Sequence, residues 1–358
     1  MESSLSRFVT RAAYGATQLS RVAWYLGHGV ALRRLSEEVR RRRDGQSARP
    51  RPHTDSPVPR RGRLTADMTE LFRRDLANVE AGIYPLPLDH DGSWLTRLNR
   101  SWLFFTDLPG VHRRRETGHY NEVLTPEISG KRPPYYLQNF HFQSGGYLTD
   151  ESARRYDLQV EVLFNGAANA TRRQALPPVH EVLAGRDQRD LRLLDAGCGT
   201  GRFLEFVKQA WPRLPAVGLD LSEAYLKEAR RHLKRWSRLN FVAGNSESIP
   251  LPDASQDVVT SIFTFHELPP NARRNSFREF ARVLKPGGRL VLVDSIQRGD
   301  KPDYDGLLEL FPQSYHEPYY STYIDEDFGA IGRACGLAYT HDVKAFISKV
   351  MVFDKPKS

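Results

Sequence analysis

Cysteine is nearly absent: Cys198 and Cys335 are the two among 358 residues. Neither a disulfide framework nor a Cys-based zinc or iron–sulfur centre has enough ligands, and a reducing, cytoplasmic setting is the simplest expectation. No stretch of about 18 apolar residues runs free of charge, which excludes a membrane-spanning helix. No metal-ligand motif is present, and none is expected to be used. Acidic residues are scarce at the start of the chain, where residues 1–63 carry 14 Arg against five Asp and Glu. That excess equals the net charge of +9 of the whole chain, so residues 64–358 are neutral in sum.

The length leaves room for a catalytic domain and something more, because domains cluster at about 100–200 residues. Residues 1–43 read as a basic amphipathic arm. In it Leu5, Val9, Ala12, Ala16, Leu19, Ala23, Leu26 and Val30 form one apolar stripe, with Arg7, Arg11, Gln18 and Arg21 opposite. Three readings fit such an arm: a helix packed on the body or on a second subunit, peripheral contact with a membrane, or an arginine-rich organelle presequence. Nucleic-acid contact has the least support. Residues 44–63 hold four prolines and almost nothing apolar, which predicts a mobile linker.

Residues 64–149 read as an accessory segment. A helix from a Thr65 cap to about Glu80 is followed by irregular chain rich in Pro, Gly and aromatics, among them Trp94, Trp102, Tyr135, Tyr136, Phe140 and Tyr147. These rings are expected to pack a small subdomain, or to wall a pocket.

From residue 150 to 358, taken as the catalytic domain, the pattern is regular. Helical character at 150–184 leads to strands at 191–196, 216–220, 240–243, 257–265 and 289–294, separated by helices at about 202–210, 223–236 and 271–284. Near-continuous apolar strands between amphipathic helices imply a parallel sheet covered on both faces. A helix near 325–335 then leads to strands at 338–345 and 346–353, which lie too close together to be anything but antiparallel.

The chemistry centres on residues 191–201, LRLLDAGCGTG. Strand character runs into Asp195, then into glycines at 197, 199 and 201, then into a helix. Such glycines bring a ligand close to the backbone and to the free N–H groups of the helix. A dinucleotide turn would need Gly-x-Gly-x-x-Gly. Here the third glycine comes one position early, and Arg202 stands where that motif wants glycine. A carboxylate ahead of the turn suits a ligand with a cationic end and no pyrophosphate. Asp220, at the end of the second strand, can accept both ribose hydroxyls of an adenosine.

Asp-x-Gly-x-Gly-x-Gly resembles the first motif of the class I S-adenosylmethionine-dependent methyltransferases. The segment FVAGNSESIPLPDASQD resembles the family's stretch reading Gly-Asp-Ala-Glu and continuing to Leu-Pro-Phe, with Asn245 where Asp is usual and Ser246 where Ala is usual. RVLKPGGRLVLVD is similar to the family's Leu-Lys-Pro-Gly-Gly turn into the fifth strand. Over roughly 190–295 the wording is similar to the ubiquinone/menaquinone-type small-molecule enzymes.

The resemblance implies an α/β fold: a Rossmann-like sheet, mostly parallel, ending in an antiparallel hairpin, here with an N-terminal helical and aromatic-rich extension. It implies S-adenosylmethionine as cofactor, lined by Asp195, Gly197, Cys198, Gly199, Gly201, Asp220, Leu221, Asn245, Ser246 and Phe263. The implied activity is in-line methyl transfer to a small, lipophilic acceptor. His266 and Glu267, at the end of the fourth strand, are the candidates to touch that acceptor, with His266 as a base titrating near neutrality. Nucleobase N-methylation is disfavoured, since 266–271 reads HELPPN in place of Asp/Asn-Pro-Pro-aromatic. The long loop 296–324 is expected to close the acceptor pocket. Two alternatives stand beside this reading: a nicotinamide-dependent oxidoreductase, and a non-catalytic module that binds S-adenosylmethionine.

Overall fold

The computed structural model describes residues 4–41, 52–89, 91–126, 128 and 130–357. The alternation from residue 193 onward forms one seven-stranded sheet. β1 (Leu193–Ala196), β2 (Ala216–Asp220), β3 (Leu239–Ala243), β4 (Gln256–Ile262) and β5 (Leu284–Ser295) are parallel, and β6 (Ala338–Ala345) and β7 (Ser348–Asp354) form the closing hairpin. The order is β3-β2-β1-β4-β5-β7-β6, with β7 antiparallel to both of its neighbours. β4 stops at Ile262 because Phe263 takes a left-handed φ of 56°, which no strand continues through. β5 reaches back to Leu284, taking in the Lys-Pro-Gly-Gly turn.

The helices in chain order are α1 (Ser4–Arg41), α2 (Arg61–Glu80), α3 (Trp94–Thr117), α4 (Asp150–Leu163), α5 (Ala168–Arg173) and α6 (Leu176–Leu183) before the sheet. Then come α7 (Arg202–Ala210), α8 (Glu223–Leu233), α9 (Pro270–Val283), α10 (Asp305–Ser314), α11 (Tyr320–Tyr323) and α12 (Phe328–Ala334). Successive strand residues point to opposite faces. Leu193, Val258 and Val291 therefore share a core with Leu176, Val179, Phe203 and Val207. Leu194, Val259 and Leu292 share the other with Phe277, Phe280 and Phe328.

The N-terminal third departs from the sequence reading in four places. The stretch expected to be irregular holds α3, capped by Ser93, whose hydroxyl accepts the Thr96 N–H, and carrying Pro109 in its interior. A proline there removes one helical hydrogen bond. Burial of Leu103, Phe104 and Leu108, with Phe104 packing beside Leu158 and Val162 of α4, offsets that loss. Second, α2 starts at Arg61, and the Thr65 hydroxyl donates to the Arg61 carbonyl as an interior residue instead of capping. Third, part of the expected linker, 44–51, lies outside the described residues. The part that follows is strapped to α10, with Thr54 and Ser56 donating to Glu309 at 2.5 and 3.0 Å and Gly306 N–H donating to Pro57 O.

The fourth departure is the arm. α1 packs on the body, but through its polar stripe. Arg21 pairs with Asp91 and Glu161, Tyr14 donates to Asp75 at 2.6 Å, and Gln18 donates to Asp89 at 2.6 Å, all from buried positions. Asp75 and Asp89 are also held by the fully buried Arg173. The apolar stripe faces outward: Leu5 is 70% exposed, Val9 57% and Leu19 72%. A preorganised acidic surface, already holding Arg173, prefers the guanidinium and hydroxyl side of the helix to its leucines.

Candidate functional site

The turn after β1 shows why two of its glycines are needed. Gly197 has φ 73°, and a Cβ there would lie 2.5 Å from Thr264 Oγ1, just past the end of the neighbouring β4. Gly199 has φ 53° and opens onto free space, with Tyr225 at 3.9 Å. Asp220 closes the turn from the side. Its Oδ2 accepts the Gly199 N–H and its Oδ1 the Ser222 N–H, both at 2.8 Å, and burial pushes its pKa up. A ring of free space remains around it.

That space is lined by six of the ten residues that the resemblance implies for the cofactor: Gly197, Gly199, Asp220, Leu221, Ser246 and Phe263. The other four sit around it rather than in its wall. Asp195 lies beneath the turn, where Thr260 donates to it at 2.7 Å and burial pushes it up to about 7. Cys198 packs its Sγ against Gly218. Gly201 caps α7 where a Cβ would strike Leu233, and Asn245 turns its side chain to Glu247.

The opposite wall is aromatic and comes from outside the sheet: Tyr135, Tyr136, Phe140 and Tyr147 from the accessory segment, Tyr156 from α4 and Tyr225 from α8. Their signal was the density of rings at 135–147, which the sequence favours as packing and offers as a pocket wall only second. Both functions are combined, since Phe140 and Tyr147 stack at 5.3 Å while facing the space.

His266 and Glu267 follow the kink at Phe263. Asp294, at the end of β5, fixes them: its Oδ1 takes His266 Nδ1 at 2.6 Å and its Oδ2 the Phe265 N–H at 2.7 Å. Burial by itself would lower the His266 pKa, but the Asp294 charge and hydrogen bond, then Glu267 and Glu317, push it up to about 10. The imidazole is therefore charged at neutral pH, unlike the near-neutral base expected from sequence. Glu267 receives the Tyr147 hydroxyl at 2.5 Å and is raised by burial to about 7, against the pull of His266.

A second, larger cavity opens on the far side of Glu267. Its walls are apolar: Val160, Leu163 and Phe164 around the end of α4, Leu307 and Phe311 of α10, and Phe346 and Ile347 in the hairpin turn. The insertion 296–324 thus closes this space through α10, as expected of it. Tyr156, Phe263 and Glu267 belong to both cavities, so the two meet there. His141, from the accessory segment, and Glu317, from the insertion, bring their donor atoms to within 4.8 Å of one another and of Glu267. Sequence spacing could not pair residues so far apart in the chain.

Residues 193–288 match the family model of a methyltransferase domain. The chain is 30% identical over 183 residues to a demethylmenaquinone methyltransferase of Thermotoga maritima, covering 51% of this chain and 75% of that protein. It is 31% identical over 137 residues to a fatty-acid O-methyltransferase of Mycolicibacterium smegmatis, covering 38% of this chain and 48% of that protein. Among solved structures it is similar to an S-adenosylmethionine-dependent methyltransferase from Aquifex aeolicus, with a TM-score of 0.38 and 20% identity, covering 51% of this chain and 89% of that one. The nicotinamide-dependent reading and the non-catalytic one are thereby displaced. With its sheet order, its glycine turn, the matching methyltransferase-domain model and the Thermotoga maritima relative, the chain belongs to the class I S-adenosylmethionine-dependent small-molecule methyltransferases.

Proposed function

We propose that this enzyme methylates a lipophilic small molecule held in the apolar cavity beside Glu267. The observation that carries the reading is the junction itself: a polar, glycine-lined space and a larger, mostly apolar one meet at Tyr156, Phe263 and Glu267. S-adenosylmethionine supplies a methyl group activated by a sulfonium. Gly197 and Gly199 give its backbone approach, Asp220 accepts from its ribose, and Leu221 and Ser246 flank its base. Asp195, Cys198, Gly201 and Asn245 shape that cradle from behind.

On the acceptor side, α10 and the hairpin turn exclude water and align the acceptor, which an in-line displacement requires above all. Glu267, at the junction, is the proton acceptor for an oxygen or carbon nucleophile, and the charged His266, oriented by Asp294, stands beside it. In this reading residues 150–358 are the catalytic domain and 64–149 supply its aromatic wall. A demethylmenaquinone-like molecule or a fatty acid, the classes named in the two relatives above, fits an apolar space with one polar end.

The outward stripe of α1 adds a partner. Leu5, Phe8, Val9 and Leu19 of α1, in a segment with an excess of arginine, are exposed, as are Trp94, Leu95 and Trp102 of α3. Such a surface suits an anionic membrane, from which a lipophilic acceptor would be drawn.

The test is transfer of radiolabelled methyl groups from S-adenosylmethionine to a short-chain reduced naphthoquinone, to a fatty acid and to a total lipid extract. Label in the organic phase that is lost with Glu267→Ala is the expected result. Label that appears only on water-soluble amines would overturn the reading.

A further inference from the structure

Beside the acceptor cavity, three side chains from three separate segments converge without completing one another. His141 follows the aromatic wall, Glu267 follows β4, and Glu317 lies in the insertion between α10 and α11. Glu317 is 3% exposed, and neither of its carboxylate oxygens accepts a hydrogen bond. Its Oε1 stands 3.2 Å from His141 Nε2. The donor atoms of all three residues lie within 4.8 Å of one another.

A carboxylate removed from water needs a compensating donor or charge, because a bare buried anion is among the most costly groups a protein can hold. The nearby charge of His266 compensates in part, but no neighbour donates a hydrogen bond to Glu317. Tyr147 gives its proton to Glu267, and His266 turns its Nδ1 to Asp294. Glu317 thus faces a carboxylate and an imidazole nitrogen.

We propose that His141, Glu267 and Glu317 bind a divalent transition cation of the Zn²⁺, Mn²⁺ and Fe²⁺ class. One imidazole and two carboxylates are a donor set that these ions share. Bonds of ~2.0–2.2 Å place neighbouring ligand atoms ~3–3.6 Å apart. The His141–Glu317 separation already meets that, and the third ligand closes by rotation of side chains. The soft, sulfur-preferring ions are excluded by the absence of thiolate or thioether among these ligands.

Three protein ligands leave coordination positions open, and His141 and Glu267 both border the acceptor cavity. A bound cation would therefore hold an oxygen of the acceptor. It takes Glu267 as a ligand and leaves His266, positioned by Asp294, as the protein group facing the acceptor. The site rests on the proposed function only for this last point; cation binding itself does not depend on it.

The experiment uses the full chain, freed of metal with a chelator and dialysed, and titrated by calorimetry with Zn²⁺ and Mn²⁺ as the chloride salts. S-adenosylmethionine binding is measured on the same samples to show that the cradle is intact. One equivalent is expected to bind. Loss of a partner outside the coordination shell costs about 10–100-fold in metal affinity, so loss of a direct ligand in Glu317→Gln or His141→Ala should cost at least that. Added Co²⁺ should give visible absorption bands in the wild type that are missing in both variants. Absence of a stoichiometric site in a protein that still binds S-adenosylmethionine would overturn the proposal and leave the proposed methyl transfer standing. Equal binding by wild type and both variants would place the cation elsewhere and overturn it as well.

Discussion

Replacing Asp220 by alanine tests the cradle at the carboxylate that closes the glycine turn. The carboxylate accepts the N–H groups of Gly199 and Ser222, both at 2.8 Å, and borders the cofactor space. Each of its oxygens accepts one of these bonds and keeps a second lone pair, enough for the two ribose hydroxyls. A hydrogen bond to a charged group contributes about 1.5–3 kcal/mol. Water entering the open pocket recovers part of this in the variant, so a net loss of about 2–3 kcal/mol is expected, or ~30–150-fold in Kd.

The ribose is common to S-adenosylmethionine and S-adenosylhomocysteine, so the two affinities should fall by the same factor. Asp220→Asn, which keeps one acceptor oxygen, should fall between. Calorimetry with both ligands checks this, with circular dichroism to establish that each variant is folded. Affinity within threefold of wild type in a folded Asp220→Ala would refute the ribose assignment. A loss confined to S-adenosylmethionine would instead put the carboxylate beside the sulfonium.

Asp195 makes a prediction in pH. Burial raises its folded pKa to about 7, above the unfolded value of about 3.9, so the folded state holds a proton that the unfolded state has lost. Its contribution to stability therefore declines as pH rises from about 4 to 7, by on the order of 4 kcal/mol for the full shift. Asp195→Asn removes that decline: its Tm should match wild type near pH 4 and exceed it above pH 7, and parallel curves would refute the assignment. For the arm, wild-type protein should sediment with vesicles of phosphatidylcholine and phosphatidylserine, less so at high salt. Leu19→Glu combined with Trp94→Glu should weaken this at least about tenfold, since burying each such side chain contributes about 1.5–3 kcal/mol. Equal sedimentation of the two proteins would refute a lipid-facing α1.

The sequence by itself determined the sheet. Period and spacing are local properties, and a strand such as 256–262, buried along its whole length, can be read without knowing its neighbours. The glycine turn was equally legible, because left-handed φ at positions 197, 199 and 201 leaves few residue types to choose from. So was the antiparallel end, since β6 and β7 are too close in sequence for a parallel crossover.

Only the tertiary structure decided which side of α1 faces inward. Helical periodicity separates a polar from an apolar stripe, but the choice between them was made by Asp75, Asp89, Asp91 and Glu161, which lie far along the chain from the arm. Only it could carry α3 through Pro109, where packing against α4 outweighs a local penalty. The acceptor side of the site is of the same kind. His141, Glu267 and Glu317 come from three loops at the carboxyl edge of the sheet, and no spacing rule relates them. A motif is visible in sequence when its residues share one turn of backbone, and invisible when folding alone brings them together.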